Sequence, residues 1–222
     1  MNELQQQKLL KEHFRQFISE HKQHFMERVL DMRTRYITIV LEDIYQSQNT
    51  SAVIRTCECM GLQDVHVIEM KSAWSTNKLV LRGSNKWLDI KRYNQKGKAN
   101  TSACFAALRE KGYRIAVTDP AGGVPIEEVP LDQPLAIVMG NERHGSSDYA
   151  LKHSDLAVTI PMAGFTESMN ISVSAAICLH TTLSRLRRSD FSWALTEEEK
   201  DLLRLQWYKK AVRKAEVIER EY

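Results

Sequence analysis

Apolar residues recur at steps of three and four over the first thirty positions, a spacing that places side chains along one face of a helix. They predict a single helix from Asn2 to about Leu30. On its polar side, His21 and His24 could share a face and bind a metal. Because a third ligand is not apparent, a solvated or RNA-facing stripe is the favoured interpretation, and we expect no metal in this protein.

Beyond this helix the pattern changes to short β-branched runs separated by helical stretches. A strand over 36–44 is followed by a polar loop and by a helix over about 51–60 that ends at Gly61. A second strand follows over 64–70. Strand, helix and strand within about 35 residues form a βαβ unit, which implies a parallel sheet.

The same alternation continues along the chain. Further strands are predicted over 88–93, 113–119, 134–140 and 156–162, and helices over 101–112 and from about Asn170 to Arg187. The run 134–140 is almost continuously apolar, as expected for a central strand covered on both faces. A segment rich in Gly and Pro, 121–130, predicts a turn region.

A last helix has its own start signal, because Thr196 and Glu199 have the spacing of a capping box. The apolar residues that follow are expected to form one stripe: Leu202, Leu205, Tyr208, Val212 and Ala215. We expect this helix to pack on the core or on a second subunit.

The length of 222 residues allows one sizeable α/β domain with terminal additions, and a hydrophobic content of 43% excludes wholesale disorder. No apolar run approaches the roughly 20 residues that span a bilayer. The polar N-terminus lacks the apolar stretch of a secretory signal. We therefore expect a cytoplasmic protein with no membrane partner. Cys57 and Cys59 would point to different faces of a helix, and all four cysteines are expected to be reduced, mostly buried thiols.

The net charge of +3 is mild, but basic residues occur in clusters. They are Arg28, Arg33 and Arg35; Arg185, Arg187 and Arg188; and Lys209, Lys210, Arg213 and Lys214. Such clusters suit a polyanion such as RNA, although most runs of this kind are solvated helix faces. The RNA-binding candidates are Arg28, Arg33, Arg35, Lys209, Lys210 and Arg213.

Candidate chemistry lies where a parallel sheet binds its ligands, just beyond the carboxyl ends of strands. The glycine motifs of dinucleotide dehydrogenases and P-loop NTPases are missing from the sequence, which disfavours both classes. Three other segments occupy those positions: 49–55, 140–145 and 160–174. Taken singly, their polar residues and glycines could be only helix caps and turn residues. Taken together, in this order along the sheet, they indicate a site.

These segments resemble the three motifs of the SPOUT superfamily of RNA methyltransferases, and within it the tRNA guanosine-18 2′-O-methyltransferase family. Asn49 to Arg55 matches N-x-x-[SA]-x-x-R, and Gly140, Glu142 and Gly145 match G-x-E-x-x-G. The third motif, I-P-M-x-G-x-x-x-S-L-N-V-S, matches at Ile160, Pro161, Met162, Gly164, Ser168, Asn170 and Ser172. Met169 and Ile171 replace the usual Leu and Val, which are conservative exchanges.

The resemblance implies an α/β parallel-sheet SPOUT methyltransferase fold with a C-terminal trefoil knot. The catalytic domain would span 36–190, between helical extensions over 1–35 and 191–222. The implied methyl donor is S-adenosylmethionine. Its implied pocket residues are Thr118, Gly140, Ile160, Met162 and Met169. Because the site of this family forms at a subunit boundary, the resemblance also implies a homodimer.

The implied reaction is 2′-O-methylation of guanosine 18 in the D-loop of tRNA. Arg55 would be the essential residue, either as a general base or as an electrostatic clamp. The second role is chemically economical, because a guanidinium has a pKa above about 12 and no free acceptor. Asn49, Ser168 and Asn170 would orient the arginine or the substrate. Glu142 is expected to accept an orienting hydrogen bond rather than to act as a base.

Two alternatives stay open. One is an enzyme of the same fold that acts on ribosomal RNA or on the tRNA wobble position, and the other is a non-catalytic knotted RNA-binding protein. The related ribosomal-RNA enzymes carry a separate RNA-binding domain ahead of the core, and only about 35 residues precede the first predicted strand here. Intact motif residues disfavour the non-catalytic alternative.

Overall fold

The computed structural model describes residues 3–219, so the predicted helix start at Asn2 lies outside the described residues. The chain divides into two compact units. One, the sheet unit, is Thr34–Trp193. The other, the helical unit, consists of the described parts of Met1–Arg33 and Ala194–Tyr222. Within residues 3–219, no helix has the length and apolar character needed to cross a membrane.

The sheet unit contains a seven-stranded sheet in which every pair of neighbours is parallel. Its strands are β1 (Ile37–Glu42), β2 (Asp64–Ile68), β3 (Asp89–Tyr93), β4 (Arg114–Thr118), β5 (Val124–Pro125), β6 (Leu135–Met139) and β7 (Leu156–Thr159). The order across the sheet is β3-β2-β1-β6-β4-β7-β5. The prediction of a parallel α/β sheet is confirmed.

Helices cover both faces of this sheet. They are α3 (Ser47–Met60), α4 (Lys78–Leu81), α5 (Asn100–Glu110), α6 (Asp148–His153) and α7 (Ile171–Leu186), with 3₁₀ turns at Ser84–Trp87 and Ile126–Glu128. One apolar cluster joins β1 to α3 and α7 through residues such as Ile39, Ile54 and Leu183. A second cluster on the other face includes Val40 and Phe105. Both β1 and β6 are buried along their whole length, as the apolar run 134–140 predicted for β6.

The strand order reverses direction in the chain between β1 and β6. The chain runs from β1 to β2 and β3 on one side, whereas β6, β4 and β7 lie on the other. Because all strands are parallel, the segments after β1, β4, β6 and β7 emerge at the same edge of the sheet. Such a reversal leaves a crevice at the carboxyl edge, which is where open α/β sheets bind ligands.

Two details of the sheet unit differ from the sequence prediction. Helix α3 begins at Ser47, ahead of the predicted start, although it ends as expected at Gly61, whose φ of 89° is a left-handed C-cap. The segment predicted as a turn region contains the two-residue strand β5, which pairs with β7 at the sheet edge. The Pro and Gly residues of this segment predict a turn, but proline is also tolerated in an edge strand, so the sequence did not reveal the pairing.

The helical unit contains α1 (Glu3–Arg15), α2 (Glu20–Asp31), α8 (Glu197–Ala211) and α9 (Ala215–Glu219). The prediction of one helix from Asn2 to Leu30 is therefore wrong. The helix breaks before Ser19, whose extended backbone (φ −60°, ψ 148°) starts α2. The Gln23 side chain donates to the carbonyls of Arg15 and Ile18, which satisfies acceptors that the break leaves open.

Helix α8 begins with the predicted capping box, in which Thr196 and Glu199 each accept the other's backbone N–H. The predicted apolar stripe is only partly correct. Leu202 is exposed, and the helix ends at Ala211 before the stripe is complete. The buried face instead carries Leu203, Leu205, Trp207 and Tyr208.

Candidate active site

A cavity of about 540 Å³ opens at the carboxyl edge of the sheet. The segments that follow β1, β4, β6 and β7 line it, together with the start of α7. This volume lies within the range of roughly 300–1,000 Å³ that is typical of small-molecule sites. The position and size together make the cavity the candidate active site.

Every residue predicted as catalytic or cofactor-binding lines this cavity, with the exception of Arg55. The residues that do so are Asn49, Thr118, Gly140, Glu142, Ile160, Met162, Ser168, Met169 and Asn170. Three segments that are far apart in the sequence therefore meet at one place, as the order of the motifs along the strands predicted.

The loop after β6 depends on two glycines for different reasons. Asn141 and Gly145 exchange two backbone hydrogen bonds of 2.9 Å, which closes the loop tightly. Gly145 has a φ of 69°, a conformation that favours glycine. At Gly140 the backbone is ordinary, but a Cβ atom would collide with the backbone of Gly145 and Ser146. Gly140 is therefore required by the fold of its own loop.

Glu142 connects this loop to the start of α3. Its carboxylate accepts hydrogen bonds from the backbone N–H groups of Tyr45 (2.9 Å) and Gln46 (3.2 Å) and from Asn49 Nδ2 (2.9 Å). Burial alone would raise the pKa of Glu142, but these hydrogen bonds outweigh burial and lower it. The carboxylate is thus held ionised as an acceptor near a helix N-terminus, a favourable place for negative charge.

Asn49 passes this connection on to the third segment. Its Oδ1 accepts a hydrogen bond of 3.1 Å from Asn170 Nδ2. The Oδ1 of Asn170 in turn caps α7, accepting from the N–H (2.8 Å) and the hydroxyl (2.6 Å) of Ser172. A continuous polar chain therefore runs from Glu142 through Asn49 and Asn170 to Ser172. Each amide uses both its donor and its acceptor end in a total of three hydrogen bonds, so a flip of either amide would break at least two of them.

The wall of the cavity mixes apolar side chains with polar backbone. Met139, Ile160, Met162 and Met169 supply apolar surface. Ser146 also belongs to the wall, and its Oγ is buried with no hydrogen-bond partner among the described residues. A buried hydroxyl of this kind needs a partner, so a ligand with polar atoms fits the cavity better than a purely apolar one.

Arg55 lies outside the cavity lining and is exposed. Its guanidinium is 3.5 Å from the Val80 carbonyl oxygen, at the end of α4. The reason is helical phase. Arg55 is six positions after Asn49 on α3, and at about 100° per residue their side chains point roughly 120° apart. Within one chain, Arg55 therefore does not join the other predicted residues at the cavity.

The structure also separates the RNA-binding candidates. Arg33 is fully buried, with its guanidinium 5.3 Å from the centre of the Trp207 ring. A buried side chain cannot contact RNA, so the prediction of Arg33 as an RNA-binding residue is corrected. Arg35 forms ion pairs with Asp64 and, at 2.8 Å, with Asp89. Lys209 pairs with Glu219. Arg28, Lys210 and Arg213 are exposed and stay candidates.

Further residues of the site carried no recognised signal in the sequence. Gln46, Arg143, Ser146 and Cys178 all line the cavity. Arg143 lies within the second motif segment, Ser146 directly follows it, and Gln46 is three positions before the first, so their neighbourhood was the available hint. Burial raises the pKa of Cys178 to about 12, which keeps it a neutral thiol. The four cysteines are free thiols and three of them are buried, as expected, while Cys59 is exposed.

Comparison with known proteins agrees with this geometry. Residues 36–180 match the SpoU rRNA Methylase family. The chain is 42% identical over 204 residues to a tRNA (guanosine(18)-2'-O)-methyltransferase of Borreliella burgdorferi, with 91% of each chain covered. The structure is similar to the TrmH/SpoU tRNA modifying enzyme of Aquifex aeolicus, with a TM-score of 0.76 and 25% identity. This match covers 88% of this chain and 98% of the other.

The fold also matches the SpoU methyltransferase AviRb of Streptomyces viridochromogenes, whose structure is a complex with the cofactor AdoMet. That match has a TM-score of 0.62 and 23% identity, and covers 73% of this chain and 65% of the other. Since the family match spans most of the chain and includes all three motif segments, this protein belongs to the SpoU methylase family.

Proposed function

We propose that this protein transfers a methyl group from S-adenosylmethionine to the ribose 2′-hydroxyl of guanosine 18 in tRNA. The observation that carries the proposal is the polar chain from Glu142 through Asn49 to Asn170 at the cavity, because it joins all three motif segments in the arrangement that their order predicts. The choice of tRNA and of position 18 rests on the relatives, which carry that activity in their names.

The cavity fits S-adenosylmethionine in size and in character. The apolar wall of Ile160, Met162 and Met169 suits an adenosyl group, while Ser146 Oγ and backbone groups near Gly140 offer polar partners. When bound, S-adenosylmethionine supplies an electrophilic methyl group on a positively charged sulfur. The same cofactor is present in the Streptomyces viridochromogenes protein of this fold.

The chain's own residues contribute mainly by positioning. Glu142 stays ionised and fixes Asn49, and Asn49 fixes Asn170 at the start of α7. Holding a hydroxyl in line with the methyl group can supply a large part of the acceleration. Ser168 lines the same cavity and can place the ribose by its hydroxyl.

We further propose a homodimer in which Arg55 of one copy completes the cavity of the other. Support comes from the position of Arg55, which is exposed on a different side of α3 from Asn49. A guanidinium brought to the ribose would bind the adjacent phosphate and stabilise the developing alkoxide. We also propose a C-terminal trefoil knot, a domain organisation of 1–35, 36–190 and 191–222, and a cytoplasmic location with tRNA.

The decisive experiment maps 2′-O-methyl groups in tRNA from cells with and without the gene, and repeats the transfer in vitro. We expect the methyl group on guanosine 18 to disappear without the gene and to be restored by the purified protein with S-adenosylmethionine. Methylation only of ribosomal RNA or of the wobble position would overturn the choice of substrate. Absence of S-adenosylmethionine binding in calorimetry would instead favour a non-catalytic RNA-binding protein.

A further inference from the structure

An aromatic ring and a guanidinium are stacked at the rim of the cavity. The guanidinium carbon of Arg143 lies 4.5 Å from the centre of the Tyr45 ring. Arg143 lines the cavity, and Tyr45 is 56% exposed even with the arginine over its ring. Among the cation–π pairs of the described residues, this one alone includes a residue of the cavity wall. Neither Tyr45 nor Arg143 is a matched residue of the three motifs, so the motifs do not explain this pair.

Hydrogen bonds to Glu142 and Asn141 fix the backbone beneath both side chains. The N–H of Tyr45 donates to the Glu142 carboxylate at 2.9 Å, and the N–H of Arg143 donates to Asn141 Oδ1 at 2.9 Å. Asn141 Nδ2 donates to the Asp43 carbonyl at 2.7 Å, which ties the loop to the end of β1. The pair is therefore held at a defined place relative to Asn49 rather than on a mobile tip.

Arg143 forms no ion pair within the described residues. Its guanidinium has no carboxylate within 4.0 Å in residues 3–219, in contrast to Arg35, Arg109 and Arg204. A flat, cationic and exposed surface of this kind suits a nucleobase, because unstacked RNA bases stack on aromatic rings and on guanidinium planes.

Covalent geometry indicates which base would reach it. The 2′-hydroxyl is on the ribose carbon next to the one that carries the base, so a ribose at the cavity brings its own base to the rim. A base that is displaced from its stack also needs a replacement partner.

We propose that Tyr45 and Arg143 form a stacking site for the guanine base of the nucleotide that is methylated. This inference rests on the proposed function, because it requires an RNA substrate whose ribose enters the cavity. The site holds the base and takes no part in methyl transfer itself. Because every base has a π-face, the pair contributes affinity and position and does not select guanine by itself.

The test compares Tyr45→Ala and Tyr45→Phe in the full-length protein. Stacking of one base contributes about 1–3 kcal/mol, so we expect Tyr45→Ala to raise KM for tRNA roughly 5- to 140-fold. Tyr45→Phe keeps the ring and should stay close to the wild type. Calorimetry with S-adenosylmethionine should give an unchanged Kd for both variants. Phe191→Ala is the matched control, since Phe191 is an exposed ring stacked on Tyr36 outside the cavity lining.

A tRNA with an abasic ribose at the target position separates base stacking from a general loss of RNA binding. If Tyr45 holds that base, the wild type and Tyr45→Ala should methylate the abasic tRNA with similar KM. An undiminished effect of Tyr45→Ala on the abasic tRNA would overturn the inference, as would a Tyr45→Ala variant with wild-type KM on normal tRNA. If the wild type binds S-adenosylmethionine but methylates no tRNA, the proposed function fails first, and that result is distinguishable from either outcome.

Discussion

Glu142 is the residue whose chemistry is most completely determined by its contacts. Three donors converge on its carboxylate, which lowers its pKa and leaves it unsuited to accept a proton as a general base near neutral pH. The role of Glu142 is to hold the Asn49 side chain in position. A residue that acts through another should show its effect in turnover, while the fold and the cofactor site stay largely intact.

We expect Glu142→Gln to lower kcat at least tenfold, with a smaller change in the Kd for S-adenosylmethionine. The amide keeps the size of the carboxylate but loses charge, and its NH₂ group faces donors. Hydrogen bonds to a charged group contribute about 1.5–3 kcal/mol, so a lower urea midpoint should accompany the change. Single-turnover rates and calorimetry measure the two effects. Wild-type kcat in Glu142→Gln would contradict the positioning role.

The stability part of this effect has a defined pH range. Because the pKa of Glu142 is lowered in the fold, its contribution is fully present above the ordinary value of 4.5 and is lost as pH falls through the lower folded pKa. Glu142→Gln should therefore have a lower free energy of unfolding than the wild type at pH 7, and this difference should become smaller in strong acid.

His66 provides a separate prediction on pH. It is buried on β2, hydrogen-bonded through Nδ1 to the Tyr93 hydroxyl at 3.1 Å, and burial with the nearby Lys91 and Lys111 lowers its pKa to about 4. The unfolded chain then binds a proton below about pH 6.5 that the folded chain refuses, so stability should fall between pH 6.5 and 4, by up to about 3 kcal/mol.

The measurement is the free energy of unfolding in urea at several pH values for the wild type and His66→Phe. We expect the phenylalanine variant to show a shallower loss of stability over this range, whatever its absolute stability at pH 7. His21→Gln, at an exposed position on α2, serves as the control and should keep the wild-type slope. Equal slopes in the wild type and His66→Phe would show that His66 titrates normally.

At the scale of secondary-structure elements, the loop between β6 and α6 depends on its glycines for shape. Gly140→Ala should shift the loop 141–145, because the new Cβ atom meets backbone rather than a flexible side chain. Overpacking of this kind costs about 1–3 kcal/mol. We expect a lower urea midpoint and at least tenfold weaker binding of S-adenosylmethionine, measured by calorimetry.

Gly164→Ala is the matched control, since a Cβ atom there approaches nothing closer than Thr166 N at 4.0 Å. It lies in a motif segment as Gly140 does, but it should retain both stability and cofactor binding. Wild-type binding in Gly140→Ala would show that the loop adapts without affecting the cavity.

The elements were predictable where a local signal determined them. The buried strands β1 and β6, the C-cap at Gly61 and the capping box of α8 all follow from residues next to one another in sequence. The break between α1 and α2 was not, because it depends on Gln23 bonding back to two carbonyls, which periodicity does not register.

The residues of the site were likewise predictable only where a local sequence pattern identified them. Motif resemblance identified most of the cavity wall, since the segments follow strands of one parallel sheet. The burial of Arg33 against Trp207 depends on a contact between distant parts of the chain, so charge clustering could not reveal it. The pairing of Tyr45 with Arg143 likewise exists only once β1 and β6 are neighbours.

At the scale of the whole molecule, the position of Arg55 makes a sharp prediction about assembly. If Arg55 of one copy serves the cavity of the other, Arg55→Ala and Asn49→Ala should each be inactive alone but complement each other. Random 1:1 pairing, achieved by co-expression, leaves one intact site in half of the dimers, so activity should return to about a quarter of the wild-type value.

The double variant Asn49→Ala/Arg55→Ala, co-expressed with the wild type, supplies the matched control. With a site shared between copies, each mixed dimer has one cavity without Asn49 and one without Arg55, so only wild-type dimers are active and activity falls to about a quarter. With a site built within one chain, each mixed dimer would keep one intact cavity, and about half of the activity would remain. A monomer in analytical ultracentrifugation, or no recovery when the two single variants are combined, would contradict the shared site. Because both arms use the same residues and differ only in which chain carries them, the comparison tests where the arginine acts independently of how strongly each substitution impairs the reaction.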